Sequence, residues 1–281
     1  YAARIEWERP AWPPLSVQYA DYTLWQHELL GSESDPESLI ADQLAYWRTT
    51  LAGLPDQLDL PSDRPRPARQ SFRGGTERFV VSAEIHSALD DVARRHGTTL
   101  FMVVHAALSV LLARLSGTDD IAVGSVVAGR GDRLLDDLIG MFVNTLVLRT
   151  RVDPGARFEE LLDRVRDSDL SAFSNADVPF ERLVEALDPP RSTSYPPLFQ
   201  VLLEFQDIER PDIALPGATA RVLDLDPGLS PFDLQLSIAE RPAGSGVQAA
   251  FTYATDLFDA ATIASFADRF VRILDAVTAD A

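Results

Sequence analysis

Acid–base and metal chemistry in proteins runs most often through histidine, and this chain of 281 residues has four. His27, His86, His96 and His105 are scattered. No two are adjacent, and none stands at the His-x-x-x-His spacing that puts two imidazoles on one helix face around a metal. Cysteine is absent, which removes thiol nucleophiles, disulfides and thiolate metal sites. No Gly-x-Ser-x-Gly elbow presents a serine nucleophile, and no glycine-rich loop offers backbone amides to a nucleotide phosphate. What remains are polar side chains set among apolar ones, which can orient a substrate or brace a loop. Asn144 shares a strand face with Phe142 and Leu146, so its amide must find partners inside. Bracing a loop across the core and pointing into a substrate channel both satisfy that demand. Arg130 follows an Ala-Gly pair that turns the chain sharply and sends the guanidinium outward, to a phosphate, a carboxylate or local pairing. Asp233 stands between Phe232 and Leu234 at a strand start and faces opposite to both, toward a cleft or toward solvent.

Four motifs follow one another along the chain: Tyr19-Ala-Asp-Tyr-Thr-Leu-Trp25, Ile139-Gly-Met-Phe-Val-Asn-Thr-Leu-Val-Leu-Arg149, Asn175-Ala-Asp-Val-Pro-Phe-Glu181 and Arg191-Ser-Thr-Ser-Tyr-Pro-Pro-Leu198. In this order and spacing they resemble the condensation domains of nonribosomal peptide synthetases. Val126-Val-Ala-Gly-Arg130 and Ser230-Pro-Phe-Asp-Leu234 resemble the same family. The third motif departs at Ala176, where the family usually has Gln, and the fourth at Ser192, Tyr195 and Pro196. A fifth element, His-His-x-x-x-Asp-Gly, is absent, and Tyr1-Ala-Ala-Arg4 looks like the family's sequence shortly after it.

The resemblance implies a chloramphenicol-acetyltransferase-like α/β sandwich, the C-terminal lobe of a two-lobed domain shaped as a V with a tunnel between the lobes. Donor and acceptor carrier proteins bring their substrates to opposite ends as phosphopantetheine thioesters, and no cofactor is bound covalently. The acceptor amine attacks the donor thioester and a peptide bond forms. The family's catalytic histidine belongs to the missing motif, so no residue of this chain is assigned to catalysis and this fragment alone is expected to be inactive. The resemblance assigns Asn144, Arg130, Asp233 and Ser230 to the tunnel or cleft, and Tyr19, Asp21, Trp25, Gly140, Phe142, Arg149, Asp177, Pro179, Phe180 and Arg191 to structure. Arg191 is expected to hold a loop carboxylate. Implied partners are the two carrier proteins, the missing N-terminal lobe and a neighbouring adenylation domain. An epimerisation domain, a noncatalytic member recruiting carrier proteins or tailoring enzymes, and a free-standing CoA-dependent acyltransferase are the alternatives.

Composition narrows the partners. A net charge of −18 leaves no basic surface for nucleic acid or an anionic membrane. The longest apolar stretch, Leu100 to Leu112, is interrupted by His105 and Ser109 and is too short to span a bilayer. With no signal-like start, a cytoplasmic protein is expected.

These residues need elements to hold them. Prolines at 10, 13 and 14 favour an extended entry. Helices are expected over Val17–Leu30 and Asp35–Leu51, and Leu60-Pro-Ser-Asp-Arg-Pro-Arg-Pro67 reads as an extended connector. It divides a helical, proline-rich part at 1–67 from the acetyltransferase-like body at 68–281. In the body, strands are expected at Glu77–Val81, Ile121–Val127, Met141–Arg149, Phe199–Phe205, Ala218–Leu225, Phe232–Ala239 and Val247–Tyr253. Helices should follow Ala83, Thr98 or Thr99, Pro179 and an Asp259 cap, and Asp153-Pro154 should cap another that runs to about Phe173. The helix to Leu115 is apolar nearly all round and should be buried.

Overall fold

Prolines keep the entry segment from forming regular structure beyond one short helix, α1 (Ala2–Ile5), after which the chain is irregular to residue 18. The structure, a computed structural model, describes residues 2–206, 214–220, 223, 225–239 and 246–279. Two helices follow, α2 (Tyr19–Leu30) and α3 (Leu39–Thr50). Asp21 closes the N-terminus of α2 by accepting the Gln18 N–H at 2.8 Å. Ser38 caps α3 through the Ala41 N–H.

The body alternates strands and helices: β1 (Gly74–Val81), α4 (Ala83–Arg95), α5 (Leu100–Ser116), β2 (Asp120–Ala128), β3 (Val143–Arg151), α6 (Phe158–Ser174), α7 (Phe180–Leu187), β4 (Val201–Gln206), the short β5 (Ala214–Leu215) and β6 (Ala218–Thr219), β7 (Leu234–Ala239), β8 (Val247–Ala254) and α8 (Ala260–Ala279). Of the strand expected over Ala218–Leu225 only β6 is seen. Arg221, Val222 and Asp224 lie outside the described residues.

Six strands make one mixed sheet in the order β1-β8-β7-β4-β2-β3. β4 runs parallel to both β2 and β7, and the other pairs are antiparallel. Alternation along the strands decides which face is buried. Val201 and Leu203, Leu234, Leu236 and Ile238, and Ala249 and Phe251 join one core with α4, α5 and α8. As its composition requires, α5 is buried on almost every side, from Met102 to Leu112. Thr99 caps its start and Gly117, at φ 73°, ends it in the left-handed conformation. A second cluster joins α3 and α7 to β3 through Leu44, Trp47, Leu146, Leu148 and Leu183. No single helix among the described residues is long and apolar enough to cross a membrane.

Two capping expectations are corrected. Asp153 does not cap α6, which starts at Phe158. Its carboxylate instead closes a turn onto the Gly155 N–H at 2.9 Å. Asp259 precedes α8, but its carboxylate pairs with Arg64. The oxygens at that helix start come from Asp63, which accepts the Asp259 N–H at 2.7 Å and the Thr262 hydroxyl at 2.8 Å. The proline-rich connector thus ties down the start of α8 with a carboxylate that sequence alone would not bring there.

Candidate functional site

The polar residues singled out above gather around the β2–β3 end of the sheet and along the connector. Asn144 is the second residue of β3, opposite Val127 of β2. Its Nδ2 donates to the carbonyls of Ala176 and Val178, both at 2.8 Å. Its Oδ1 accepts from the N–H groups of Thr145 at 2.8 Å and Phe180 at 3.0 Å. Both donors are used and the oxygen is doubly engaged, so the amide ties β3 to the loop that launches α7. From the other side, buried Gln43 of α3 grips the same loop. It accepts from the N–H groups of Asp177 and Val178 and donates to the Asp177 carboxylate at 2.8 Å. Trp47 adds an indole bond to the Asn175 carbonyl at 2.9 Å. Pro179 sets the φ of −58° from which α7 starts, and Phe180 packs edge-on against Phe199.

Arg130 closes the loop between β2 and β3. Its Nη1 donates to the carbonyls of Leu135 at 2.7 Å and Asp136 at 3.0 Å, and its guanidinium lies 4.4 Å from the Phe142 ring centre. It is locally paired, one of the roles open to it from sequence. The same loop is held by α2. Tyr19 donates its hydroxyl to the Met141 carbonyl at 2.7 Å, and Tyr19 and Tyr22 pack on Phe142. Gly140 lies so close beneath Tyr19 that a Cβ there would enter the ring. Burial first, then the neighbouring Tyr19 and Asp177, pushes the Tyr22 phenol above its ordinary value. Trp25 stacks loosely on Tyr22 and stays exposed.

Asp233 is neither on a cleft surface nor on a solvent face: it is 1% exposed. Arg66 of the connector meets its carboxylate with both terminal nitrogens and also donates to the Ser194 carbonyl at 3.2 Å. Burial raises the Asp233 carboxyl above the ordinary range, outweighing the opposing pull of Arg66. Ser230 is fully buried, and its hydroxyl donates to the Phe232 carbonyl at 2.7 Å. Arg191, expected to hold a carboxylate, is exposed and forms no ion pair among the described residues. Arg66 takes that task.

A family model described as Condensation domain matches residues 6–281. The chain belongs to the condensation domain family. Over its whole length it is 53% identical to part of a probable non-canonical nonribosomal peptide synthetase of Salinispora arenicola, and 48% identical to part of a dimodular nonribosomal peptide synthase of Bacillus subtilis. It spans 4% and 12% of those two proteins. Among solved structures it is similar to the X-domain from teicoplanin biosynthesis, with a TM-score of 0.92 at 34% identity over 99% of this chain and 63% of that one. The mixed sheet and its packed helices are the acetyltransferase-like fold that the motifs implied.

Within this condensation fold, Arg149 anchors α3. It makes a two-pronged bond to Asp120, at 2.8 and 2.6 Å, and donates to the carbonyls of Thr50, the last residue of the helix, and of Ala52 just beyond it. The Arg149 hydrogen bonds lower the Asp120 carboxyl pKa, against the cost of burial. A carboxyl lowered in the folded state contributes stability above its unfolded pKa and loses it as the pH falls through the folded value. Arg149→Met should therefore destabilise the chain at neutral pH. The gap to wild type should narrow in acid, below the ordinary value of 3.8. Urea denaturation at two pH values checks this, and a gap of constant size would refute it.

The remaining histidine of interest, His105, is fully buried and pairs through Nδ1 with Asp169 Oδ2 at 3.0 Å. A groove of about 1380 Å³ is lined by Thr118 and Asp119 before β2 and by Val152 after β3. It therefore lies at the other end of those strands from Arg130 and Asn144, away from the family's motif residues. Near Arg130 the surface is apolar instead. Leu24 and Trp25 on α2 and Leu134, Ile139 and Met141 on the loop beside it are exposed, Ile139 by 97% and Met141 by 72%. Sequence reasoning missed Gln43 and Arg66. The Pro-Arg-Pro setting of Arg66 signals an extended chain and carries no trace of a buried partner.

Proposed function

We propose that this chain forms the C-terminal lobe of a condensation domain that makes peptide bonds between substrates carried as phosphopantetheine thioesters on two carrier proteins. The observation that carries the reading is the family match along residues 6–281, joined to the apolar surface around α2 and the β2–β3 loop. Apolar side chains in such number mark a surface made to be covered. A second lobe bearing the His-His-x-x-x-Asp-Gly motif covers it in this reading, and a neighbouring adenylation domain completes a cytoplasmic assembly.

The reaction is aminolysis. The acceptor amine adds to the thioester carbonyl, an oxyanion forms, the C–S bond breaks, the donor's pantetheine thiol leaves and the amine gives up one proton. That proton must be handled and the oxyanion supported. This lobe supplies a wall and a floor. Asn144, Arg130, Asp233 and Ser230 stand behind that wall as braces, because their hydrogen-bonding groups are committed to the protein.

The polypeptide alone should therefore make no dipeptidyl thioester from loaded donor and acceptor carriers, whereas the two-lobed domain should. Turnover by the lobe alone, well above background, would refute the division of labour. An inactive two-lobed domain would favour a second reading, a noncatalytic recruiting member. The similarity to the X-domain of teicoplanin biosynthesis, which has also been solved in complex with OxyB, supports that second reading.

A further inference from the structure

The sheet face turned away from α4, α5 and α8 carries a carboxylate, Glu204, that meets no counter-charge among the described residues. Strand register sets Arg78, Ala250, Ser237 and Glu204 in one row across β1, β8, β7 and β4. Thr252 and Gln235 pair in the next row, and Gln206 with Ala239 on the far side. Glu204 Oε2 accepts from Gln235 Nε2 at 2.9 Å, Ser237 Oγ at 3.1 Å and Gln206 Nε2 at 3.1 Å. All three donors are neutral, and all three go to one oxygen. The other oxygen has no donor among the described residues. Among the described residues no cation pairs with Glu204. Arg78, in the same row, stands three strand spacings away, roughly 14 Å. The residue is half-buried. Removing a carboxylate from water without a partner costs free energy, and here three hydrogen bonds also fix its rotamer. A locked anion, with the small side chain of Ala239 on the neighbouring strand, is pre-organised for a cation that arrives from outside.

We propose that Glu204 is a specificity-determining residue that binds the ammonium group on the side chain of one of the two carrier-bound substrates. The inference rests on the condensation reading, with this sheet face as part of the tunnel wall. It is tested in the two-lobed domain with loaded carriers, using ornithine and its uncharged isostere norleucine, each as donor and as acceptor. Wild type should prefer ornithine in one of the two positions. Glu204→Gln keeps the acceptor for its three donors and removes the charge. It should lower the kcat/KM ratio of ornithine to norleucine about tenfold, the discrimination of one lost charge-assisted bond. Norleucine turnover should stay close to wild type. A ratio unchanged in both positions, or an equal fall for both substrates, would overturn the inference while leaving the condensation reading intact. If wild type makes no peptide from either substrate, the reading fails and this inference with it. Should Glu204→Gln not fold, Glu204→Asp, which retracts the charge by one methylene, gives the same readout.

Discussion

Asp233→Ala should cost the fold about 3–5 kcal/mol, the range for breaking one side of a buried ion pair. The variant leaves Arg66 with its guanidinium largely enclosed and its two-pronged partner gone. It also loosens a whole stretch of connector. Arg66 donates to Ser194, the Gln70 N–H donates to the Thr193 carbonyl at 2.9 Å, and the Thr193 hydroxyl donates to Ala68 at 2.8 Å. The midpoint of urea unfolding should fall with little change in slope, since the surface exposed on unfolding is the same. Because burial already raises the Asp233 carboxyl despite Arg66, the charges are expensive to keep inside. An apolar pair, Arg66→Met with Asp233→Leu, should therefore recover most of the loss. A double variant as unstable as Asp233→Ala, or a single variant within 1 kcal/mol of wild type, about the worth of an exposed pair, would contradict the argument.

Asn144→Ala should cost about 3 kcal/mol, through stability and not through chemistry. Four backbone groups lose their partner: the carbonyls of Ala176 and Val178 and the N–H groups of Thr145 and Phe180. Each buried group left without a bond costs roughly 1–3 kcal/mol, and water reaches some of them here. Asn144→Asp should be nearly as damaging, because a carboxylate cannot donate to the two carbonyls. In the two-lobed domain, activity per folded molecule should hold while the yield of folded protein falls. An unchanged melting temperature with a large loss of rate at saturating carrier would instead place the amide at the reacting groups.

Much of this was legible in the chain. The all-round apolar helix α5 and the period-two strands follow from side-chain chemistry and the two backbone periods, which act within a few residues. That Asn144 faces inward follows from its neighbours Phe142 and Leu146 in the same way. Family membership was legible as well, in four motifs whose order no composition explains.

What could not be read are the partners. Alternation would set Asp233 opposite to Phe232 and Leu234, yet the strand begins only at Leu234, and alternation names a face and not what covers it. The covering group, Arg66, comes from 167 residues away. Gln43 meets Asp177 across 134 residues, and Asp63 serves the start of α8 across 196. The expected caps at Asp153 and Asp259 failed for the same reason: local propensity offers a carboxylate, and the fold decides which carboxylate arrives. Glu204 is the sharpest case. In sequence it is one polar residue at the end of an apolar strand. It gains two of its three donors, Gln235 and Ser237, because β7 packs alongside β4 in parallel and sets Ser237 opposite it. The sequence by itself determined the elements, their buried faces and the family. The tertiary structure alone decided which charges meet which partners. Pairing energy depends on distance through space, and local sequence rules reach only a few residues along the chain.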